Sequence, residues 1–259
     1  MVLEWYYYVL FGFAGLLAGI VNTLAGNGSV FTLSLLIFSG MPVGLANGTN
    51  RLGAFVQCII SLLTLKKTTK FNSLYKESLW FIPPSIIGSI FGAFSAIQIS
   101  DKVLTNTVGY LMIFMLFLAI SKPKNWFINS KKRESNKSIS NFIIFFFIGS
   151  YAGFIQMGMG ILFLTALVLI SKYSILDANI IKIIICTTII LPSLAIYIYF
   201  NQVAWNQAIA LTIGQGFGAW LATKYALQNN NSILWVKRLI ILMISLTLVK
   251  LFNIHSYIF

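Results

Sequence analysis

The chain has 259 residues, of which 58% are apolar and only 9% charged, and its formal net charge is +13. A soluble domain of this size carries about a quarter charged residues, so this composition excludes an ordinary soluble fold. No aromatic–basic platform or recognition helix accompanies the basic excess, so a nucleic-acid partner is not expected either.

Residues 1–11 (MVLEWYYYVLF) lack a basic leading segment, and the apolar run continues through residue 21 without a cleavage site. The first segment is therefore expected to be kept as a helix over 6–24 rather than removed as a signal. A Gly-rich break follows at 25–29 (AGNGS), then a short helical stretch at 30–39 and longer helices at 43–65, 78–97 and 103–121. A basic connector covers 122–140. Beyond it come 141–157, a second break at 158–160 (GMG), a short stretch to 171, and helices at 176–200, 203–223 and 233–252. Runs of about 20 residues span a hydrocarbon core of about 30 Å, and backbone groups in hydrocarbon must be paired internally. The short alternating segments of a barrel are absent, so the fold expected is an all-α polytopic membrane protein with about eight membrane segments.

Basic loops assign the sides. Lys66, Lys67, Lys70 and Lys76 place the 66–77 loop in the cytoplasm. Lys122, Lys124, Lys131, Lys132, Arg133 and Lys137 do the same for the connector, as do Lys224, Lys237 and Arg238 for 224–238. The turn at Asn201-Gln202 has no basic residue and falls outside. With these assignments the segment 141–171 enters and leaves on one side, as a re-entrant hairpin broken at Gly158 and Gly160.

The two parts of the chain read as repeats. At a spacing of 132 residues Gly26 and Gly28 align with Gly158 and Gly160, Ser39 with Ser171, and Ala46-Asn47 with Ala178-Asn179. GSIFGAF at 88–94 matches GQGFGAW at 214–220 at a spacing of 126. A hairpin plus three crossings is an odd count, so the second copy is inverted. The division expected is a first membrane repeat at 1–121, the connector at 122–140 and a second membrane repeat at 141–259. Inverted repeats with broken helices are a plan of secondary transporters, with the site near the midplane.

Two cations, Arg51 and Lys182, fall inside apolar helices at near-equivalent positions. An intramembrane cation costs about 2.5–3.5 kcal/mol, so it usually has a partner or a task. An anion-facing role is favoured over snorkelling to the interface. Helix ends at Gly28-Ser29 and Gly160 would present unpaired N–H groups, a natural anion site. Asn22, Thr23, Asn27, Ser29 and Gln156 either add donors there or simply cap the breaks.

The acidic residues Glu4, Glu77, Asp101, Glu134 and Asp177 lie at predicted helix ends or loops, and the one histidine, His255, is in the C-terminal tail. No carboxylate is placed to relay protons or to balance a bound cation. No metal cluster, catalytic triad or Walker loop is present, so neither an enzyme nor a cofactor is expected. Cys58 and Cys186 lie within helices and read as small apolar residues rather than a disulfide. The solute that fits is a small anion. Its export from a cell negative inside would gain about 2.3 kcal/mol per 100 mV for one charge.

The runs GFAGLLAGIVNTLAGNGS at 12–29 and ANGTNRLG at 46–53 resemble the first repeat of the TauE/SafE sulfite exporter family. YAGFIQMGMG at 151–160 with DANIIK at 177–182 is similar to its second repeat, and GSIFGA and GQGFGA to its third-helix glycine motif. The breaks depart from a run of three glycines, with Asn27 between Gly26 and Gly28 and Met159 between Gly158 and Gly160. The resemblance implies a multi-pass permease of the bacterial inner (plasma) membrane, handling sulfite, an organosulfonate or a related sulfur-containing anion, with export the favoured direction. The combined reading selects Gly26, Asn27, Gly28, Asn47, Thr49, Asn50 and Arg51 from the first repeat as substrate-binding residues. From the second it selects Gln156, Gly158, Gly160, Asn179 and Lys182. A small-anion channel and a non-transporting membrane assembly subunit are the alternatives.

Overall fold

The computed structural model describes residues 4–24, 26–67, 69–120 and 138–226, and the side chains of 114–120 and 226 fall outside that description. All regular structure among the described residues is helical. In chain order the helices are α1 (Trp5–Leu24), α2 (Ser29–Phe38), α3 (Val43–Leu65), α4 (Phe71–Ser78), α5 (Ile82–Gln98), α6 (Asp101–Ile120), α7 (Ile139–Phe154), α8 (Met159–Thr165), α9 (Ile175–Tyr199) and α10 (Trp205–Leu221). A π-helical turn at Ala166–Ile170 prolongs α8, and another at Ala222–Ala226 prolongs α10. The expected helix at 233–252 and most of the basic connector lie outside the described residues.

The loop expected at 66–77 contains α4, which buries Phe71, Leu74 and Ser78 on one face and leaves its other residues toward water. It meets α5 at a bend of 58°. Pro83 and Pro84 stand at the start of α5, where a missing N–H costs a helix little.

α1 and α9 are each long and apolar enough to cross a bilayer, and α4 with α5 would make a third, bent span. α3 is also long, but one of its faces is polar and turned inward: Asn47, Thr49, Asn50, Arg51, Gln57 and Ser61 are all buried. The outward faces carry Phe13, Phe91, Phe147, Ile213 and Phe217, all exposed. That inversion of the usual arrangement, apolar outside and polar within, suits a lipid surround.

Small residues let two helix pairs approach to backbone contact. α1 lies along α10: a Cβ on Gly15 or Gly19 would strike the carbonyl oxygens of Leu211 and Gln215, and one on Gly214 or Gly218 those of Gly12 and Leu16. α5 lies along α7 in the same way, Gly88 and Gly92 meeting the carbonyl oxygens of Phe146 and Ser150, while Gly149 and Gly153 meet those of Ser85 and Ser89. Residue numbers rise together in both pairs, so each pair is parallel. α3 and α9 pack against one another between them.

Contacts at the helix ends fix the direction of the bundle. Thr49 Oγ1 accepts from Ala204 N at 3.0 Å, which puts the start of α3 beside the α9–α10 turn. At the opposite end Lys70 pairs with Asp177 at 3.8 Å, and Ser61 meets Thr23 and Thr223 at 3.4 Å each. The 66–77 segment and the end of α10 therefore share one end of the molecule with the start of α9.

Candidate functional site

Both Gly-rich segments interrupt their helices, and the interruptions touch. Gly26 has φ of 77° and Gly158 of 71°, a left-handed backbone open to glycine. A Cβ on Gly26 would lie 2.6 Å from the Cα of Gly160, and one on Gly160 2.5 Å from the Cα of Gly26. No side chain fits between the two breaks. Gly28 closes against the carbonyl of Ala18, folding α2 back along α1.

Each broken helix ends inside the protein, so its last carbonyls need donors that water would otherwise supply. At the end of α7 the donors come from α3. Arg51 donates from Nη1 to Ala152 O at 3.1 Å and to Ser193 Oγ at 3.0 Å, and from Nη2 to Gly153 O at 2.6 Å. Its guanidinium lies 4.3 Å from the centre of the Tyr197 ring. Asn47 Nδ2 donates to Phe154 O at 2.8 Å and to Tyr197 Oη at 2.7 Å, while Tyr197 Oη donates to Phe154 O at 3.2 Å. Asn47 Oδ1 accepts from Gln156 N at 3.4 Å. Arg51 has 0% exposure and is among the largest fully buried side chains.

At the end of α1 the donors come from α9. Lys182 Nζ donates to Asn22 O at 3.2 Å and Thr23 O at 3.4 Å, and Asn179 Nδ2 donates to Thr23 O at 3.1 Å. Asn47 and Asn179, which align at the 132-residue spacing, thus do the same job at opposite breaks. Both carbonyls that Lys182 touches have a second donor, since Gly26 N also reaches Asn22 O at 3.0 Å. Lys182 is buried, and no carboxylate is paired with it among the described residues.

A narrow, partly open cleft lies at the α1 end. Lys182 lines it with Asn22, Thr23, Gln57, Ser61 and the glycines Gly26 and Gly160; the free thiols Cys58 and Cys186 lie in its wall, which apolar side chains complete. A shallow apolar pocket between α8 and α9 has Thr165 as its one polar side chain and offers an anion nothing.

The remaining residues selected from sequence fall into two groups. Asn50, Asn27 and Gln156 are buried near the breaks. Asn50 Oδ1 accepts from Thr32 Oγ1 at 2.6 Å and from Gln215 Nε2 at 3.1 Å, and its Nδ2 reaches Gln156 Oε1 at 3.4 Å. Thr49 is spent on local structure, donating to Leu45 O at 2.6 Å as well as accepting from Ala204. Asn22 caps the first break: its Oδ1 accepts from Gly28 N at 2.5 Å and Ser29 N at 3.2 Å, so the start of α2 is not a bare set of donors. Sequence reasoning passed over Gln57, Ser61, Ser193, Tyr197 and Gln215. A period signal was available: 47, 50, 57 and 61 share one face of α3, and 182, 186, 193 and 197 one face of α9.

A helical bundle with an apolar exterior, two interior breaks and a buried cation in a cleft defines an integral membrane protein built around an internal polar site. The chain belongs to the TauE/SafE sulfite exporter family, which matches over residues 11–251. It is 23% identical to a probable membrane transporter protein, ORF9, of Sinorhizobium sp., over 85% of this chain and 84% of that one. It is 24% identical to a probable membrane transporter protein of Haemophilus influenzae, over 85% of each chain. It is also 24% identical to YfcA of Escherichia coli K12, named a probable membrane transporter protein, over 87% of this chain and 82% of that one. These names indicate a membrane transporter rather than an enzyme. No solved structure matches the chain.

Proposed function

We propose that this protein is a multi-pass secondary permease of the bacterial inner membrane that moves a small anion, in the first place sulfite, an organosulfonate or a related sulfur-containing oxyanion, outward from the cytoplasm. The observation that carries the reading is Lys182: a buried cation in the wall of a cleft, with no carboxylate paired to it among the described residues. Its contacts to Asn22 and Thr23 carbonyls are long, and each carbonyl has another donor. The ammonium can therefore turn to an anion without stranding a buried acceptor.

The residues proposed to meet the solute are those of the two touching breaks and of the capping helices: Gly26, Asn27, Gly28, Asn47 and Asn50, with Gln156, Gly158, Gly160, Asn179 and Lys182; Thr49 and Arg51, selected with them from sequence, hold the frame that positions the rest. Of these, Gly26, Gly160 and Lys182 line the cleft. The sulfur chemistry rests on family membership, and the outward direction on the membrane potential acting on an anion.

The two-repeat plan, 1–121 and 141–259 about a basic connector, belongs to the same proposal. Reciprocal packing supports it. The first helix of one repeat, α1, lies on α10 of the other, and α7 lies on α5. Each third helix, α3 or α9, caps the broken helix of the opposite repeat. An inverted pair related by a two-fold axis in the membrane plane would produce this exchange of partners.

The test is flux of labelled sulfite, thiosulfate and small sulfonates in proteoliposomes at a set potential. Wild-type protein should move at least one of them in a potential-dependent manner, and Lys182→Gln should slow it at least tenfold. Absence of both flux and binding for the whole panel would sink the reading. A small-anion channel would instead show far faster flux without counterflow.

A further inference from the structure

The polar face of α3 is longer than the cleft it borders. Asn47, Asn50, Ala54, Gln57, Cys58 and Ser61 share that face, over about 21 Å of helix at 1.5 Å per residue. The cleft is lined by Ala54, Gln57, Cys58 and Ser61, but not by Asn50 or Asn47. It stops about one turn short of Asn50.

At that level four buried polar side chains from four parts of the fold close on one another: Thr32 from α2, Asn50 from α3, Gln156 from the second break and Gln215 from α10. Asn50 is the hub, accepting from Thr32 and Gln215 and donating to Gln156. Gln215 lies flat against α3, since a Cβ on Gly53 would come within 2.8 Å of its amide carbon. The cluster is not self-sufficient. Gln156 Nε2 and Gln215 Oε1 are buried and have no partner. A buried donor left unmet at the head of a cleft for an anion gains its acceptor when an oxyanion arrives.

We propose that this amide cluster is the gate of the transport path, that Gln215 is the residue holding it shut, and that Gln156 Nε2 is the next donor an oxyanion meets after Lys182. The proposal rests on the permease reading above for its solute. Its geometry does not depend on which solute moves. When Gln215 leaves Asn50, the polar face of α3 becomes continuous from Ser61 to Asn47, and the cleft joins the end of the bundle at which α3 begins. The cleft lies on the Ser61 side of the cluster, the side on which the basic 66–77 loop places the cytoplasm, so in the closed arrangement it should be reached from there.

The chain supplies its own reporters, because Cys58 and Cys186 are its only cysteines and both line the cleft. Full-length protein in vesicles of known orientation is treated from either face with a charged, membrane-impermeant methanethiosulfonate. In the wild type, labelling should come from the cytoplasmic face. In Gln215→Ala the rate from the opposite face should rise at least tenfold, and the Cys58→Ser/Cys186→Ser variant should remove the signal. Should Gln215→Ala fail to fold, Gln215→Asn shortens the reach by one methylene and Gly53→Ala pushes the amide off α3; either should open the same route. Labelling that stays on one face in folded Gln215 and Gly53 variants overturns the gate. If the labelled face changes but no anion is moved by the wild type, the gate stands and the anion reading fails. If sulfite moves and the face never changes, the reverse holds.

Discussion

The two interior helix ends have the same problem and different solutions. At the α7 end the cap is a guanidinium bonded to two carbonyls and a serine, backed by an aromatic ring and by Asn47. At the α1 end it is an ammonium with two long contacts, backed by Asn179 and the Gly26 N–H. Arginine offers a rigid fork that satisfies several acceptors at once, whereas lysine is a mobile point charge. Redundancy differs too. The carbonyls of Asn22 and Thr23 keep a donor if Lys182 moves, while those of Ala152 and Gly153 depend on Arg51. One end is sealed and the other is left responsive, and the cleft is found at the responsive one.

Arg51→Met should produce the largest loss of stability. Two carbonyls in dry protein would lose their donor, at about 1–3 kcal/mol each, and the contact with Tyr197 would go as well. A total of about 4 kcal/mol should appear as a large drop in the thermal midpoint of detergent-solubilised protein. A drop no greater than that of Lys182→Met would break the contrast between the two ends.

Next in size is Gly26→Ala. Its left-handed backbone disfavours alanine by about 1–2 kcal/mol, and the added methyl meets the backbone of Gly160, which cannot turn aside as a side chain could. About 3 kcal/mol of destabilisation by the same assay is expected. Retention of wild-type stability would mean that the two breaks do not touch.

Lys182→Met should behave differently from either. A buried charge without a counter-charge carries a desolvation cost, so an apolar side chain of similar shape recovers much of what its lost contacts contributed. A stability change within about 1 kcal/mol is therefore expected, together with the loss of flux described above. Unfolding of this variant would instead make Lys182 a structural cap like Arg51.

Much of the plan was readable from residues alone. The Gly breaks, the two buried cations and the pairing of Asn47 with Asn179 all carry signals that survive in one dimension, because a charge in an apolar run is costly and glycines seldom recur at a fixed spacing by chance. The destination of Arg51 was not readable. Its partners are backbone carbonyls about 100 residues away, and a carbonyl has no sequence signature. For the same reason the sequence offered Arg51 and Lys182 as equivalents, and only the acceptors around each and their other donors separate them. Helix α4 was hidden because an amphipathic helix of eight residues in a basic loop gives a weak period.

The smallest effect tests the aromatic part of the sealed end. Tyr197 does two things: its ring lies under Arg51, and its hydroxyl links Asn47 to Phe154 O. Tyr197→Phe removes only the second. Phe154 O keeps Asn47 as a donor, so no acceptor is stranded, and Asn47 Nδ2 keeps Phe154 O as an acceptor. The loss should therefore be about 1 kcal/mol, the net worth of an ordinary hydrogen bond. Tyr197→Leu removes the ring too and should cost more, by the further ~1–2 kcal/mol of a desolvated cation–π contact. If the two variants unfold at the same temperature, the ring contributes nothing beyond its hydroxyl. The sealed end would then hold by hydrogen bonds alone, differing from the Lys182 end in the number of donors and not in their kind.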